Sequence, residues 1–306
     1  MKEITDYDKV FETLVQKTQD YVVRNNLNCM VLGISGGIDS TVVAAICREV
    51  SDRTGIPLIG RSLPSKFNKE GETITANLVG KAFCDDYKEV YSVSRIYDLL
   101  LASFILGEET MKDNFHTDDS KLQTPIANGN IQARLRMMYL YNLASIHRGL
   151  VMDTDNLTEN NLGYFTIHGD VGDFNPIGGL WKTEVFKLAE YLQEQYSLEH
   201  CENIVDSVSK NKTPELPYKV MALEESLKLK PTAGLGITDS DLDEIGAESY
   251  DQVDRVLKCL TDSSVSTDTI DDIPDAILEA VVKRHNASKF KRKQLPIKIT
   301  RDEILV

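Results

Sequence analysis

The chain has 306 residues, of which 42% are apolar, enough for one large core or two modest ones. Its 34 basic and 48 acidic residues leave a net charge of −14, with no basic block before the last twenty residues. That balance argues against nucleic-acid binding, which rests on phosphate neutralisation, yet allows a local site for a small anion; otherwise the acid surplus reads as a solvated surface.

In chain order, residues 7–25 carry Val10, Leu14, Val15, Tyr21 and Val22 at helical spacing, on an acidic amphipathic segment unlike a signal peptide. "NCMVLGIS" is a short continuous apolar run, the pattern of a strand buried on both faces. "STVVAAICREV" reads as a helix, "IPLIGRSLP" as a second strand, "ETITANLVGKAFC" as a second helix and "KEVYSVS" as a third strand. A polar, poorly patterned stretch from about Gly107 to Asn128 reads as a mobile loop. "NIQARLRMMYLYNLASIHR" is a long helix, "GLVMDT" a fourth strand and "WKTEVFKLAEYLQEQ" a further helix.

This alternation predicts an α/β fold, a doubly wound parallel sheet with right-handed crossovers and flanking helices. The core is expected at about 27–198. Residues from about 199 to 306 form a helical or irregular appendage on the same single domain. Five scattered cysteines show no CxxC or metal-ligand spacing and suggest a reducing compartment. No apolar run approaches the roughly 18 to 20 residues that span a bilayer, so the expected location is cytoplasmic, away from membranes.

The stretch "LGISGGIDST" stands between the first strand and its helix, where open parallel sheets bind ligands. Gly36 and Gly37 permit positive φ and close approach of a ligand to the backbone. The amides of residues 37 to 40 would face an anion at the helix N-terminus, and Ser35 and Ser40 add hydroxyls. Asp39 beside such an anion implies an intervening divalent cation. The plain alternative is a glycine-rich turn whose acid complements the helix dipole. The stretch is neither GxxxxGK[ST] nor GxGxxG.

"SGGIDS" at 35–40 resembles the PP-loop signature SGGxDS of the ATP pyrophosphatases, whose fold is adenine nucleotide α-hydrolase-like and which cleave ATP to AMP and pyrophosphate. Further along, "GNIQARLRMMYLYNLA" and "GLVMDTDNLTENNLGYFTIHGDVGDFNPIGGLWKTEVFKLAEYL" resemble the ammonia-dependent NAD synthetase family. The resemblance implies adenylation of nicotinic acid adenine dinucleotide and amidation by ammonia to NAD. It assigns Gly33, Ser35, Gly36, Gly37, Asp39 and Ser40 to ATP, with Thr154, Lys182 and Thr232. Arg134, Asp173 and Lys291 fall to the dinucleotide, and Asp39 and Glu159 to Mg2+. Asp39, Glu159 and Lys182 are thereby the catalytic set. A homodimer is implied, and ammonia would come from solution or from a separate glutaminase subunit.

The residues themselves leave alternatives open. Arg134 and Arg136 lie about 200° apart on one helix, so they cannot easily serve one site. Glu159 also fits a solvated loop acid and Lys182 a surface lysine. His168 reads as structural. Asp153, in place of a family glycine, brings another acid near ATP. Ile167, Gly234 and Phe290 also depart from the family pattern. Two other readings follow: a PP-loop amide ligase for a different carboxylic acid, and a catalytically silent nucleotide-binding module.

Overall fold

Four short strands, all parallel, make the central sheet: β1 (Met30–Gly33), β2 (Leu58–Ser62), β3 (Asp86–Glu89) and β4 (Leu150–Val151). The computed structural model describes residues 3–65, 68–108, 120–210, 217–230, 240–293 and 297–304. The spatial order β3-β2-β1-β4 reverses direction at β1, with Met30 in register with both Leu58 and Leu150. The switch point, where ligands settle in such sheets, is therefore the carboxyl end of β1 beside β4.

The helices follow in chain order: α1 (Tyr7–Arg24), α2 (Ile38–Thr54), α3 (Glu70–Phe83), α4 (Ser92–Glu108), α5 (Ser120–His147) and α6 (Leu157–Leu162). Then come α7 (Lys182–Ser209), α8 (Tyr218–Lys228), α9 (Asp241–Ile245), α10 (Tyr250–Thr261), α11 (Asp275–Ala287) and α12 (Arg301–Ile304). Buried side chains sort across the sheet by the period of two that a strand imposes. Met30, Leu32 and Leu58 join a core with α1, α2, α3, α7 and α8. Val31, Ile59 and Val151 face the other way, onto α4 and α5. This two-sided burial is why the first strand reads as an unbroken apolar run, and β2 is buried along its whole length although it ends on Arg61 and Ser62.

Two sequence readings shift. The third strand ends at Glu89, not near Ser94, because Val93 and Tyr97 turn inward one helical turn apart on α4. Of the expected loop, residues 107–108 close α4 and 120–128 open α5, whereas 109–119 lie outside the described residues. That stretch reads as a loop because it is polar and poorly patterned, yet both of its described flanks are helical.

The C-terminal part is woven into the core. Ala222, Leu223, Ile299 and Ile304 belong to the main apolar cluster. β6 (Ile297–Lys298) pairs in parallel with β5 (Phe174–Asn175). Arg301 grips Glu184 with both guanidinium nitrogens, at 2.5 and 2.6 Å. A third cluster, with Leu162, Trp181, Val253, Leu257, Ile277 and Val281, docks α10 and α11 on α6 and the start of α7.

Candidate active site at the strand switch point

A cleft of about 280 Å³ opens at the carboxyl ends of β1, β2 and β4. Gly33, Ser35, Gly37, Asp39, Ser40, Thr154, Glu159 and Lys182 line it, so most of the expected ATP set converges there. Its turn is built by unequal glycines. Gly36 has φ +86°, and a Cβ there would meet the α3 backbone, 2.5 Å from the Glu72 carbonyl and 2.8 Å from the Ala76 nitrogen. It faces α3, and its carbonyl accepts from the Ser226 hydroxyl at 3.0 Å. Gly37 has ordinary extended backbone and opens α2 without a side-chain cap, leaving the first amides of that helix directed at the cleft. Ser35 and Ser40 touch through their hydroxyls at 3.0 Å, and Ser40 donates back to the Gly37 carbonyl at 2.9 Å.

Two distant segments bring charge to Asp39 at the mouth of this turn. Lys182, the first residue of α7 and 1% exposed, donates to Asp39 Oδ2 at 2.5 Å and Glu159 Oε1 at 3.0 Å. Asn156 donates to the other Asp39 oxygen at 2.9 Å. Glu159 is aimed by a capping box: Asn156 Oδ1 accepts from its N–H, and its Oε2 accepts from the Asn156 N–H. Burial alone would lower the Lys182 pKa, but the Asp39 and Glu159 carboxylates outweigh it and hold the ammonium charged. Burial pushes Glu159 up to about 8, against the pull of Lys182.

The cleft also gathers residues to which no role had been given. Asp241, carried in by α9 and 3% exposed, accepts from the Tyr250 hydroxyl with Oδ1, while its Oδ2 finds no hydrogen-bond partner among the described residues. The Tyr250 ring lies 5.4 Å from Lys182 Nζ. Both come from far along the chain, and no local spacing announced them. Asp155 and Asp170 line the cleft as well. Asp155 follows Thr154 directly, and Asp170 stands in the "HGD" of the quoted motif, so a signal for both was present. Burial, reinforced by Asp153 and Asp170, raises Asp155 well above the carboxylate range.

Of the two α5 arginines, Arg136 lines the cleft, bonded to the Leu63 carbonyl at 3.1 Å and Asn68 Oδ1 at 3.2 Å. Arg134 is exposed and donates to the Ile167 carbonyl at 3.1 Å, outside the cleft. Asp173 also lies on that flank and accepts from the Val151 N–H at 3.0 Å. Lys291 donates to the Gly163 and Phe165 carbonyls at 2.7 and 2.6 Å, beyond the end of α6. Thr232 and Gly234 lie outside the described residues. His168 sits exposed in a turn at φ 55°. Asp153 does not itself line the cleft, although its charge acts on Asp155 there. Its carboxylate takes the N–H of Gly172 at 2.6 Å, the N–H of Asp155 at 2.7 Å and the amide of Asn175 at 2.9 Å, a buried turn clamp.

The donor set fits a magnesium ion. Asp39 and Glu159 offer hard oxygens around one cation position. Among the described residues no three acidic, histidine or cysteine side chains stand close enough to hold an ion alone. Magnesium characteristically completes such a pair of carboxylates with phosphate oxygens and water.

Known proteins match nearly the whole length of the chain. The chain is 29% identical over 293 residues to the NH(3)-dependent NAD(+) synthetase of Campylobacter jejuni, covering 95% of this chain and 98% of that protein. It is equally identical to the glutamine-dependent NAD(+) synthetase of Aquifex aeolicus, but spans only 45% of that longer protein. The solved NMN synthetase of Francisella tularensis superposes with a TM-score of 0.69 at 26% identity, covering 94% of this chain and 97% of that one. The model of the family described as NAD synthase matches residues 10–295, and the chain belongs to that family.

Proposed function

We infer that this protein amidates nicotinic acid adenine dinucleotide to NAD, using ATP and ammonia. The observation that carries the reading is the meeting of Asp39, Glu159 and Lys182 at the PP-loop, in a chain of the NAD synthase family. The nicotinate carboxylate oxygen attacks the α-phosphorus of ATP, the bond to pyrophosphate breaks, and an acyl-adenylate forms. Ammonia then attacks the acyl carbon, the bond to AMP breaks, and a proton is released with the amide formed.

The adenylation step asks mainly for positioning and charge neutralisation, so it requires no protein nucleophile. The opening amides of α2 and the Ser35 and Ser40 hydroxyls receive the departing phosphates. Asp39 and Glu159 would hold Mg2+, which withdraws charge from the phosphate oxygens. Lys182 turns from these carboxylates to phosphate. Thr154 and Thr232 complete the ATP side. Arg134, Asp173 and Lys291 serve the dinucleotide, the first two from the flank beside β4. Two copies pair through α5, where Met138 and Ile146 are 59% and 65% exposed and Tyr141 lies between them. Ammonia arrives free or from a separate glutaminase.

The likeness to an NMN synthetase supports a second reading, in which the acid is nicotinic acid mononucleotide. Turnover with ATP, magnesium and ammonium decides between them. NAD and AMP formed one for one from the dinucleotide, faster than NMN from the mononucleotide, is the expected outcome. The reverse preference establishes the second reading. Turnover of neither acid, with ATP still cleaved, points to another carboxylic acid.

A further inference from the structure

Thr158 precedes Glu159 and Thr183 follows Lys182, so the two side chains that meet in the cleft each adjoin a threonine. One carboxylate from α10 holds both threonines. Asp254, 1% exposed, accepts from the Thr158 hydroxyl through Oδ1. Through Oδ2 it accepts from the Thr183 N–H at 3.0 Å and the Thr183 hydroxyl at 2.8 Å. Thr158 Oγ1 closes the circuit by accepting from the Lys182 N–H at 2.8 Å.

The arrangement spends a buried charge where adhesion alone would not need one. Val253 and Leu257, on either side of Asp254 in α10, already dock that helix against Leu162 and Trp181. Burial pushes the Asp254 carboxyl up to about 6, so the ion is costly to keep there. In return it supplies the missing acceptor at the positive end of α7 and ties that end to the first turn of α6. Asp254 does not line the cleft, so whatever it does for chemistry passes through the threonines.

We propose that Asp254 is a positioning residue that fixes the separation of Glu159 and Lys182 through Thr158 and Thr183. The inference rests on the assignment of Glu159 and Lys182 to metal and phosphate. Its test is calorimetric titration of the full chain with the magnesium complex of α,β-methylene-ATP, which cannot lose pyrophosphate, alongside kcat at saturating ATP and thermal melting.

Asp254→Ala is expected to weaken the complex about tenfold to a hundredfold and to lower kcat in similar proportion. Asp254→Asn, which keeps an acceptor for Thr183 and a partner for Thr158, is expected to restore much of both. Thr183→Val, a milder deletion suited to the case where Asp254→Ala fails to fold, is expected to fall between. Leu257→Ala, which loosens the same helix without touching the circuit, is expected to lower the melting temperature and leave the titration unmoved. Unchanged binding and kcat in Asp254→Ala and Thr183→Val overturn the proposal, as does an equal loss of binding in Leu257→Ala. A wild-type chain that does not bind the nucleotide complex overturns the phosphate-site assignment and this inference together.

Discussion

At the scale of residues, the cleft is a crowd of acids organised around the buried Lys182. Ordinary statistics would put Lys182 at the surface, yet it is among the largest fully buried side chains. Removing one partner of such a buried pair typically costs about 3–5 kcal/mol, because the other charge is stranded. Glu159 carries the clearest consequence. Its folded pKa, pushed to about 8 by burial, lies above the 4.5 of an ordinary glutamic acid. The folded protein therefore keeps a proton that the unfolded chain releases, and the stability this contributes is lost as pH rises through the folded value. The melting temperature of the ligand-free protein is expected to fall as pH rises from about 4.5 to about 8 and to level off above, and Glu159→Gln is expected to flatten that fall. Melts across this range check both statements. The resemblance placed Asp39, Glu159 and Lys182, since their motifs are local. Asp241, Tyr250 and Asp254 were illegible because they reach the site only through tertiary packing of α9 and α10.

At the scale of elements, the PP-loop turn divides its work between two adjacent glycines. Gly36→Ala places a methyl group into the α3 backbone at a left-handed φ. It is expected to destabilise the fold by about 2 to 5 kcal/mol. Gly37→Ala keeps an ordinary φ, and among the described residues its methyl group would meet just Ser35 Oγ, at 3.3 Å. Its stability is expected to stay near wild type while the KM for ATP rises. Thermal melting and ATP kinetics on the pair separate the two roles. Strand β1 could be read directly because both faces are buried and the apolar run is unbroken, and β2 from its apolar start, Leu58 and Ile59, before Arg61 and Ser62 close it. β4, only two residues long, was legible from its apolar start and its place after the long helix. α4 was not, because Tyr91 and Val93 imitate strand alternation just where the chain turns helical. α6 is one turn and a half long, too short to show a period, and its capping box is its one local sign.

At the scale of the whole molecule, the exposed α5 face with Arg134, Met138, Tyr141 and Ile146 adjoins the flank where Asp173 sits. Pairing there would set one copy's dinucleotide flank beside the other's. Met138→Glu with Ile146→Glu is expected to halve the mass seen by light scattering. The monomer should still bind the ATP analogue while dinucleotide turnover falls at least tenfold. The −14 surface raises a related difficulty, since a polyanionic nucleotide must enter a strongly acidic protein at a cleft crowded with further acids. The fully enclosed ammonium of Lys182 resolves it. Tethered between Asp39 and Glu159, it occupies the place proposed for magnesium at a high effective concentration, so bare magnesium would compete poorly there. A nucleotide that arrives with its magnesium offers the lysine a phosphate to move to, and exchange of partners replaces net insertion of charge. With Asp39 and Glu159 in the proposed role of Mg2+ ligands, the resting pocket would be a lock on that place, opened by the substrate rather than by the ion.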